Sequence, residues 1–489
     1  MRLTAWLGLV VVAGAALRFA TLDTQSLWYD EAITAHLLQM HLGAMLRAIP
    51  DSESSPPLYY VIAWLWTHVF GTGEVGLRSL SALLGSATIG VVWALGARLG
   101  GARAGLAAAA LVAFNPMLVW FSQEARAYAL LALLGALSAL LWLRALERPR
   151  ATGRLLAWGA VAALALATHY YAAFLVAPQA LWLVLRAPGW RERAAALALP
   201  VAAAAALAPL ALGQRANDTA AFIADSALLT RLAQVPKQFL VGYDAPIEPL
   251  LVAVTALAVL LGFAGLAALL RGRIAVPASA RGDAARLAVV TAVALALPVL
   301  GAVGGEDHLI TRNVLFALPP ACALAGAGLA AAASAVPRPA WLALGAACLA
   351  GIVAAVGVAR NPELQRDDWR AAVTALGPID GPRLIVTSPG SLEVLRYYLP
   401  GVRIAAPPAF TTAEIDYIAL PEHHIGERPP PPRPANPIAP AANYTLASRT
   451  EGKTFTVLRW RAPAATPQPV APSPGLDGKP AALLSVAPR

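Results

Sequence analysis

The fold of this chain is most constrained by a series of long apolar runs. A helix needs about 20 apolar residues to cross the hydrocarbon core of a bilayer, where it satisfies its own backbone hydrogen bonds. Eleven runs come close to this length, so the sequence predicts an all-α polytopic membrane protein with about 11 transmembrane helices. The runs cover residues 3–22, 75–97, 104–121, 125–146, 155–170, 171–187, 194–213, 248–270, 284–303, 312–334 and 339–358.

The composition supports this interpretation and excludes other classes of protein. Of the 489 residues, 58% are hydrophobic and 13% are charged, whereas soluble proteins carry roughly 25% charged residues. The net charge of +10 comes almost entirely from arginines in short loops, a pattern of membrane topology rather than of nucleic-acid binding. Cys322 and Cys348 both lie inside apolar runs, so no disulfide framework or cysteine-based metal site is expected.

The short loops predict the orientation of the chain, because loops rich in Lys and Arg stay in the cytoplasm. If the spans alternate, every arginine cluster falls on one side, and the N-terminus is cytoplasmic. The segments 22–74, 214–247 and 304–311, which carry most of the acids, are then extracytoplasmic. The clusters are Arg98 with Arg103, Arg144 with Arg148, Arg150 and Arg154, Arg186 with Arg191 and Arg193, Arg271 with Arg273, Arg281 and Arg286, and Arg338.

The apolar segment Leu58–Phe70 is the exception to this alternation. It is too short to cross a bilayer comfortably, and a crossing here would move every later arginine cluster to the outside. We therefore predict a juxtamembrane helix in the interface, rich in Trp and Tyr, within a long external loop over residues 22–74.

The composition changes near residue 360, which predicts a second domain. Residues 1–360 form the predicted transmembrane module. Residues 361–461 alternate strand-like and helix-like segments, among them a strand at Arg383–Thr387, and predict a small extracytoplasmic α/β domain. Residues 462–489 are rich in Pro and Ala, so we expect a disordered tail.

Two adjacent carboxylates, Asp30 and Glu31, stand where the chain leaves the first apolar run. Ionisable groups at membrane depth are costly and usually functional. Their aromatic neighbours, Trp28 and Tyr29, suit the headgroup level of a membrane. The alternative is a solvated loop that carries two acids by chance.

Further polar residues gather on the same predicted face. Carboxylates can take a proton from a hydroxyl group, and arginines bind phosphate through a bidentate fork. Such a set fits an anionic, sugar-bearing lipid. Its members are Arg78, Glu124, Arg126, Tyr128, His169, Tyr170, Tyr171, His308 and Arg312.

Each of these residues also has a purely structural interpretation. Glu124 and Arg126 could pair with each other at a helix turn, and His169 could be a hydrogen-bonded structural histidine. The residues at span ends could only anchor the helices at the interface. This alternative applies to Arg78, Arg312, Tyr170 and Tyr171.

Six short motifs follow one another along the chain. They are Leu27-Trp-Tyr-Asp-Glu-Ala32, Pro56-Pro-Leu-Tyr59, the segment 71–78, Asn115-Pro116, Ser122-Gln-Glu-Ala-Arg-Ala-Tyr128 and Arg312-Asn-Val-Leu315. In this order they resemble the family 39 group of GT-C membrane glycosyltransferases, and they are similar to protein O-mannosyltransferases and lipid A aminoarabinose transferases. The resemblance covers about residues 1–335, and Arg366-Asp-Asp-Trp-Arg370 is also similar to bacterial members.

The resemblance implies the GT-C fold and roles for the candidate residues. Asp30 would be the general base, with Glu31 beside it and Glu124 as a second acidic contact to the acceptor or the sugar. The arginines would face a lipid phosphate. Related enzymes often carry His or Lys before the Pro-Pro motif, where this chain has Ser55. The candidate substrate-binding residues are Arg78, Arg126, Tyr128, His169, Tyr170, His308 and Arg312, and no residue is assigned to a metal.

The implied reaction is a single inverting displacement on the extracytoplasmic side of a bacterial inner membrane. The donor would be a polyprenyl-phosphate-linked sugar, mannose-like or a pentose, and the acceptor a hydroxyl group of a glycan, a lipid or a protein. Lipid phosphate is a good leaving group, and no His-x-x-x-His spacing occurs, so no metal or other cofactor is expected. The alternatives are a lipid-linked-sugar transporter or flippase and a non-catalytic membrane scaffold.

Overall fold

The protein consists of two compact units. The structure, a computed structural model, describes residues 2–217, 223, 226–388, 390–405, 409–420, 431–440, 443–469 and 482–488. The helical unit comprises Met1–Leu22 and Met40–Val358, and the sheet unit comprises Asp23–Gln39 and Ala359–Arg489.

Helices dominate the described part of the chain. Short 3-10 helices cover Tyr170–Ala172, Thr311–Ala317 and Pro362–Leu364. The α-helices are α1 (Arg2–Phe19), α2 (Tyr29–Leu38), α3 (Leu42–Ser52), α4 (Leu58–Phe70), α5 (Glu74–Gly100), α6 (Ala102–Phe114), α7 (Pro116–Ser122), α8 (Tyr128–Glu147), α9 (Thr152–Thr168), α10 (Ala173–Arg186), α11 (Trp190–Ala216), α12 (Leu228–Val241), α13 (Glu248–Leu270), α14 (Ala278–Val303), α15 (Leu318–Ala332), α16 (Pro337–Arg360), α17 (Trp369–Ala375) and α18 (Ser391–Tyr398).

The predicted fold class is confirmed: the protein is a helical, multi-pass membrane protein with a small C-terminal sheet domain. Among the described helices, 7 are long and apolar enough to cross a membrane, or up to 8 if the bent pair of α6 and α7 is one span. The other apolar helices are shorter. They are Leu3–Phe19, Leu58–Phe70, Thr152–Thr168 and Tyr170–Arg186. The exact count of 11 and the interfacial position of α4 therefore stay predictions.

The predicted span 104–121 is not one straight helix, because it bends by 59° between α6 and α7. Pro116 cannot donate a backbone hydrogen bond, so carbonyl groups in the preceding turn lose their helical donors. The buried guanidinium of Arg18 donates to the carbonyl oxygens of Val112 at 3.0 Å and of Ala113 at 2.8 Å. Asn115 caps α7 by accepting from the backbone N–H of Leu118 at 3.0 Å.

Glycines allow α13 and α15 to approach closely in the helical unit. A Cβ placed on Gly328 would lie 1.9 Å from the carbonyl oxygen of Gly262, and one on Gly265 would lie 2.0 Å from that of Gly328. Small residues at such contacts let helix backbones meet where lipid supplies no hydrophobic driving force. Backbone contact therefore holds this helix pair together.

The sheet unit is built around a mixed six-stranded sheet in the order β2-β6-β1-β3-β5-β4. Strand β1 pairs in parallel with β3, and the other neighbours are antiparallel. The strands are β1 (Arg383–Thr387), β2 (Val402–Ala405), β3 (Ala409–Ala419), β4 (Thr445–Glu451), β5 (Thr456–Pro469) and β6 (Ala482–Pro488).

Both faces of the sheet carry a hydrophobic core. Side chains alternate between the faces of a strand, so Ile385 joins one core while Leu384 and Val386 join the other. Helices α17 and α18 cover the first face through Trp369 and Val394. The strand predicted at Arg383–Thr387 is confirmed with its bounds.

The expectation of a disordered tail over residues 462–489 is wrong for the residues that the structure describes there. Residues 462–469 continue β5, and β6 lies between β2 and β1 in the sheet. Leu484 and Val486 of β6 are buried in the core that faces α17 and α18. Pro and Ala enrichment concealed these alternating apolar residues. Residues 470–481 and 489 lie outside the described part.

The predicted external loop 22–74 does not belong as a whole to the helical unit. Residues Asp23–Gln39, which include α2, belong to the sheet unit. The reason is hydrophobic burial, since Ala32 of α2 is 1% exposed and lies in the same core as Trp369 and Val394. The segment that carries the adjacent carboxylates therefore folds with the C-terminal domain.

Replacing Gly328 by Ala should lower the free energy of unfolding by about 2 kcal/mol, because the added methyl group forces α13 and α15 apart. Gly345→Ala in α16 is the matched control, since a Cβ there meets nothing within 4 Å. Alanine also has the better helix propensity. Melting curves of the detergent-solubilised variants would measure the difference, and equal stabilities would contradict the close packing.

Candidate active site

Asp30 and Glu31 lie in the first turn of α2, where the partial positive charge of a helix N-terminus favours carboxylates. Their surroundings differ. Asp30 is partly exposed, whereas Glu31 is fully buried. Glu31 Oε2 lies 3.2 Å from Nη1 of Arg366, whose guanidinium carbon lies 5.2 Å from the centroid of the Trp28 ring. Of the two carboxylates, Asp30 therefore has solvent access and Glu31 is held by a counter-charge.

In the helical unit, Arg126 lies in the turn between α7 and α8. Its Nη1 donates to Glu53 Oε1 at 2.7 Å, and both side chains are buried. The guanidinium also lies 5.9 Å from the centroid of the Tyr60 ring. Glu53, which the sequence analysis did not single out, is thus the ion-pair partner seen for Arg126, where sequence proximity suggested Glu124. Two charges buried in this way are stable only as a pair.

His169 lies at the break between α9 and the 3-10 helix Tyr170–Ala172. Its Nδ1 accepts a hydrogen bond from the backbone N–H of Tyr171 at 3.2 Å, and its ring lies 5.8 Å from that of Tyr128. The guanidinium groups of Arg126 and Arg312 are both close enough to act electrostatically on His169. The structure therefore brings Arg126, Tyr128, His169 and Arg312 together.

Tyr170 makes a structural contact through Gln214 of α11. The Tyr170 hydroxyl donates to Gln214 Oε1 at 2.7 Å, and Gln214 Nε2 donates to the carbonyl oxygens of Ile49 and Ser55, both at 3.3 Å. Gln214 is 4% exposed and Ser55 is 5% exposed. Tyr170 thus supports the loop before α4, and its contact with substrate stays a prediction.

Arg78 is buried near the start of α5. It is 1% exposed, and its Nη1 donates to the carbonyl oxygen of Leu22 at 2.7 Å. This contact holds the chain just after α1 and supports the structural interpretation of Arg78. A contact of Arg78 with lipid phosphate stays a prediction.

The loop 304–311 positions His308 and leads into Arg312. The carbonyl oxygen of His308 accepts from the side-chain amide of Asn313 at 2.8 Å, which closes the turn ahead of the 3-10 helix Thr311–Ala317. Both His308 and Arg312 are partly exposed. Both side chains thus keep some access to solvent at the start of this 3-10 helix.

Arg231 of α12 holds the same loop and was missed by the sequence analysis. Arg231 is 2% exposed and donates to both carboxylate oxygens of Asp307, with Nη1 at 2.6 Å from Oδ1, and to the carbonyl oxygen of Leu309 at 2.9 Å. These hydrogen bonds hold the pKa of Asp307 below its ordinary value. The available signal was an arginine outside the clusters predicted to be cytoplasmic, because such a charge needs a partner.

In each unit, one of the buried carboxylates described above has a guanidinium partner. Glu53 pairs with Arg126 and Glu31 with Arg366. Within the part of the chain that the structure describes, no group of three or more His, Cys, Asp or Glu side chains is placed to hold a metal ion. The expectation of a metal-independent reaction stays a prediction.

Comparison with known proteins supports the resemblance seen in the motifs. Residues 54–212 match the family model described as dolichyl-phosphate-mannose-protein mannosyltransferase. This stretch includes Arg78, Glu124, Arg126 and His169. None of the curated proteins compared with the chain matches it.

Several solved structures are similar. ArnT from Cupriavidus metallidurans, bound to undecaprenyl phosphate, matches with a TM-score of 0.57 and 14% identity over 93% of this chain and 98% of that chain. The oligosaccharyltransferase of Archaeoglobus fulgidus, in complex with Zn and sulfate, has a TM-score of 0.45 and 15% identity over 76% and 55% of the two chains. The S. cerevisiae Pmt1–Pmt2 protein O-mannosyltransferase, bound to its sugar donor, has a TM-score of 0.35 and 16% identity over 44% and 34%.

The match to ArnT runs along nearly the whole of both chains and shows the fold. The chain is a multi-pass membrane protein with the GT-C fold. The more particular resemblance, to family 39 glycosyltransferases and their protein O-mannosyltransferase relatives, is confirmed by the family-model match to residues 54–212.

Replacing Arg231 by Met should lower the free energy of unfolding by about 2 kcal/mol, because it removes the partner of Asp307 and leaves an unpaired charge beside a buried surface. Arg215→Met is the matched control. It breaks the exposed ion pair with Glu306 of the same loop and should cost at most about 0.5 kcal/mol. Thermal melts of the two variants would test this, and equal losses would show that loop 304–311 does not depend on Arg231.

Proposed function

We propose that this protein is a glycosyltransferase that takes a sugar from polyprenyl phosphate and transfers it to a hydroxyl group of a glycan, a lipid or a protein. The reaction takes place on the extracytoplasmic side of a bacterial cell membrane. Two findings support the donor class: the family model is named for a dolichyl-phosphate-mannose enzyme, and ArnT was solved with undecaprenyl phosphate. The sugar is mannose-like or a pentose.

The observation that carries the proposal is the difference between Asp30 and Glu31. A general base must be ionised and must reach an incoming hydroxyl group. Asp30 is partly exposed at the start of α2, whereas Glu31 is buried against Arg366. Asp30 is therefore the carboxylate that accepts the proton, and Glu31 holds the turn that presents it.

The proposed reaction is one displacement at the anomeric carbon of the sugar. The acceptor oxygen forms a bond to this carbon while the bond from the carbon to the phosphate oxygen breaks. The hydroxyl proton passes to Asp30, and polyprenyl phosphate leaves with the electron pair and an additional negative charge. Attack opposite the leaving group inverts the anomeric configuration.

Positive charge near the departing phosphate is the other requirement, because stabilising developing charge is usually the largest part of catalysis. The family resemblance assigns this charge to Arg312 and Arg126 of the helical unit. Both act on His169, and Arg126 is oriented by Glu53. Glu124 contacts the acceptor or the sugar, and Tyr128 and His308 contribute further polar contacts.

Asp30→Asn should reduce kcat by about 1,000-fold or more, since the amide cannot take the proton at neutral pH. Asp23→Asn is the matched control: Asp23 is an exposed acid in the same segment, and its side chain has no part in the proposed reaction. Release of polyprenyl phosphate from a polyprenyl-phosphate sugar by purified protein measures both variants. A fully active Asp30→Asn enzyme would rule out this base and favour a scaffold role for the segment.

Cells that lack the protein should accumulate the polyprenyl-phosphate sugar that it consumes, and mass spectrometry of their lipids would name the head group. A flippase would also cause accumulation, so the purified protein is the control. A transferase releases polyprenyl phosphate in detergent solution when an acceptor is added, whereas a flippase leaves the donor intact. An unchanged lipid profile would contradict the proposed donor class.

A further inference from the structure

We propose that Arg366 of the sheet unit is a positioning residue for the Asp30–Glu31 pair. Its guanidinium fixes Glu31, and through the shared first turn of α2 it sets the direction in which Asp30 points. The inference rests on the proposed function, because it assigns Arg366 a part in the same reaction. It also means that a residue of the C-terminal domain helps to position the base.

The chain before α2 is held by the segment that contains Arg366. The Ser26 hydroxyl donates to the carbonyl oxygen of Asp367 at 2.7 Å and accepts from the backbone N–H of Trp369 at 3.0 Å. The backbone N–H of Arg366 donates to Gln25 Oε1 at 3.0 Å. These bonds use backbone groups at fixed positions, so they set the register between the two segments.

A second set of contacts holds the start of α2 itself. The backbone N–H of Leu27 donates to the Tyr398 hydroxyl at 2.7 Å, and Ala32 lies in the core of the sheet unit. Gly390 has a φ of +90°, and a Cβ there would lie 3.2 Å from the ring of Tyr29. The turn that carries Asp30 is therefore enclosed by residues of the C-terminal domain on several sides.

In addition to these contacts, Arg366 makes a charged contact with Glu31. Its side chain is 10% exposed and Glu31 is 0% exposed, so little water is available to stabilise either group. Removing one partner takes away the counter-charge that this contact supplies to the other buried group. Glu31 would then turn away or take up a proton, and the first turn of α2 would shift with it.

The aromatic contact explains why arginine suits this place better than lysine. A planar guanidinium can lie over the Trp28 ring while one of its N–H groups reaches Glu31. A lysine ammonium is a compact and strongly hydrated charge that cannot keep both contacts in the same way. Arg366→Lys should therefore keep the charge but hold Glu31 less firmly.

The test compares variants of the full-length protein by steady-state kinetics with a polyprenyl-phosphate sugar. Arg366→Gln should lower kcat by about tenfold to 100-fold, the size expected from a displaced catalytic group. The KM for the donor should stay within about twofold, since Arg366 positions the base rather than binding substrate. Arg366→Lys should recover part of the lost kcat.

Two other arginines of the sheet unit serve as controls. Arg370 donates to the carbonyl oxygen of Asp23 at 2.9 Å, so Arg370→Gln removes a different contact to the same segment. Arg396 makes an exposed ion pair with Glu393 on α18, and Arg396→Gln should leave kcat unchanged. The inference is overturned if Arg366→Gln keeps the wild-type kcat or loses no more than Arg370→Gln.

A stability measurement separates this inference from the proposed function. The shifts in melting temperature of Arg366→Gln and Glu31→Gln should not add in the double variant, because both single variants remove the same contact. Additive shifts in melting temperature would show that Glu31 and Arg366 do not interact, whatever the activity of the variants. If the wild-type protein releases no polyprenyl phosphate, the proposed function fails, and the Glu31–Arg366 coupling is judged by the melting temperatures alone.

Discussion

The structure depends on giving buried charged side chains hydrogen-bond or ion-pair partners. Burying an isolated ionised group is so costly that it must find a partner or lose its charge. The helical unit meets this requirement with arginines that serve as hydrogen-bond donors to backbone or carboxylate groups. Arg18 donates to the carbonyl groups that the bend at Pro116 leaves without helical donors. Arg78 donates to the carbonyl oxygen of Leu22, and Arg126 pairs with Glu53. Arg126, which this pairing fixes, is also one of the candidate site residues.

The sheet unit also pairs a buried charge with arginines in its own core. Asp416 is fully buried and accepts from Arg383 at 3.0 Å and from Arg459 at 2.9 Å. Burial raises the pKa of Asp416, and the two arginines oppose that shift. Glu31 and Arg366 repeat the arrangement at the start of α2. A pair of this kind orients its members more reliably than it stabilises the fold, since desolvation offsets much of the attraction.

Several of the residues that the structure brings together stand out in the sequence, but their ion-pair partners do not. Arg126, Tyr128, His169 and Arg312 stand out as polar residues beside apolar runs, and the structure brings them together. Glu53 gives no such signal, because its partner lies 73 residues away along the chain. The disordered tail was mispredicted for a related reason. Strand β6 is defined by Leu484 and Val486 entering a core built from distant residues, not by its own composition.

The sequence by itself determined that this is a helical membrane protein with a small C-terminal sheet domain, and which residue types were available for chemistry. Those properties follow from local hydrophobicity and from motifs that can be recognised without knowing the long-range contacts. Only the tertiary structure decided that Asp23–Gln39 folds with the C-terminal domain and that Glu31 is buried against Arg366 while Asp30 stays accessible. Burial and charge pairing are properties of residues far apart in the chain, and so they become defined only when the chain has folded.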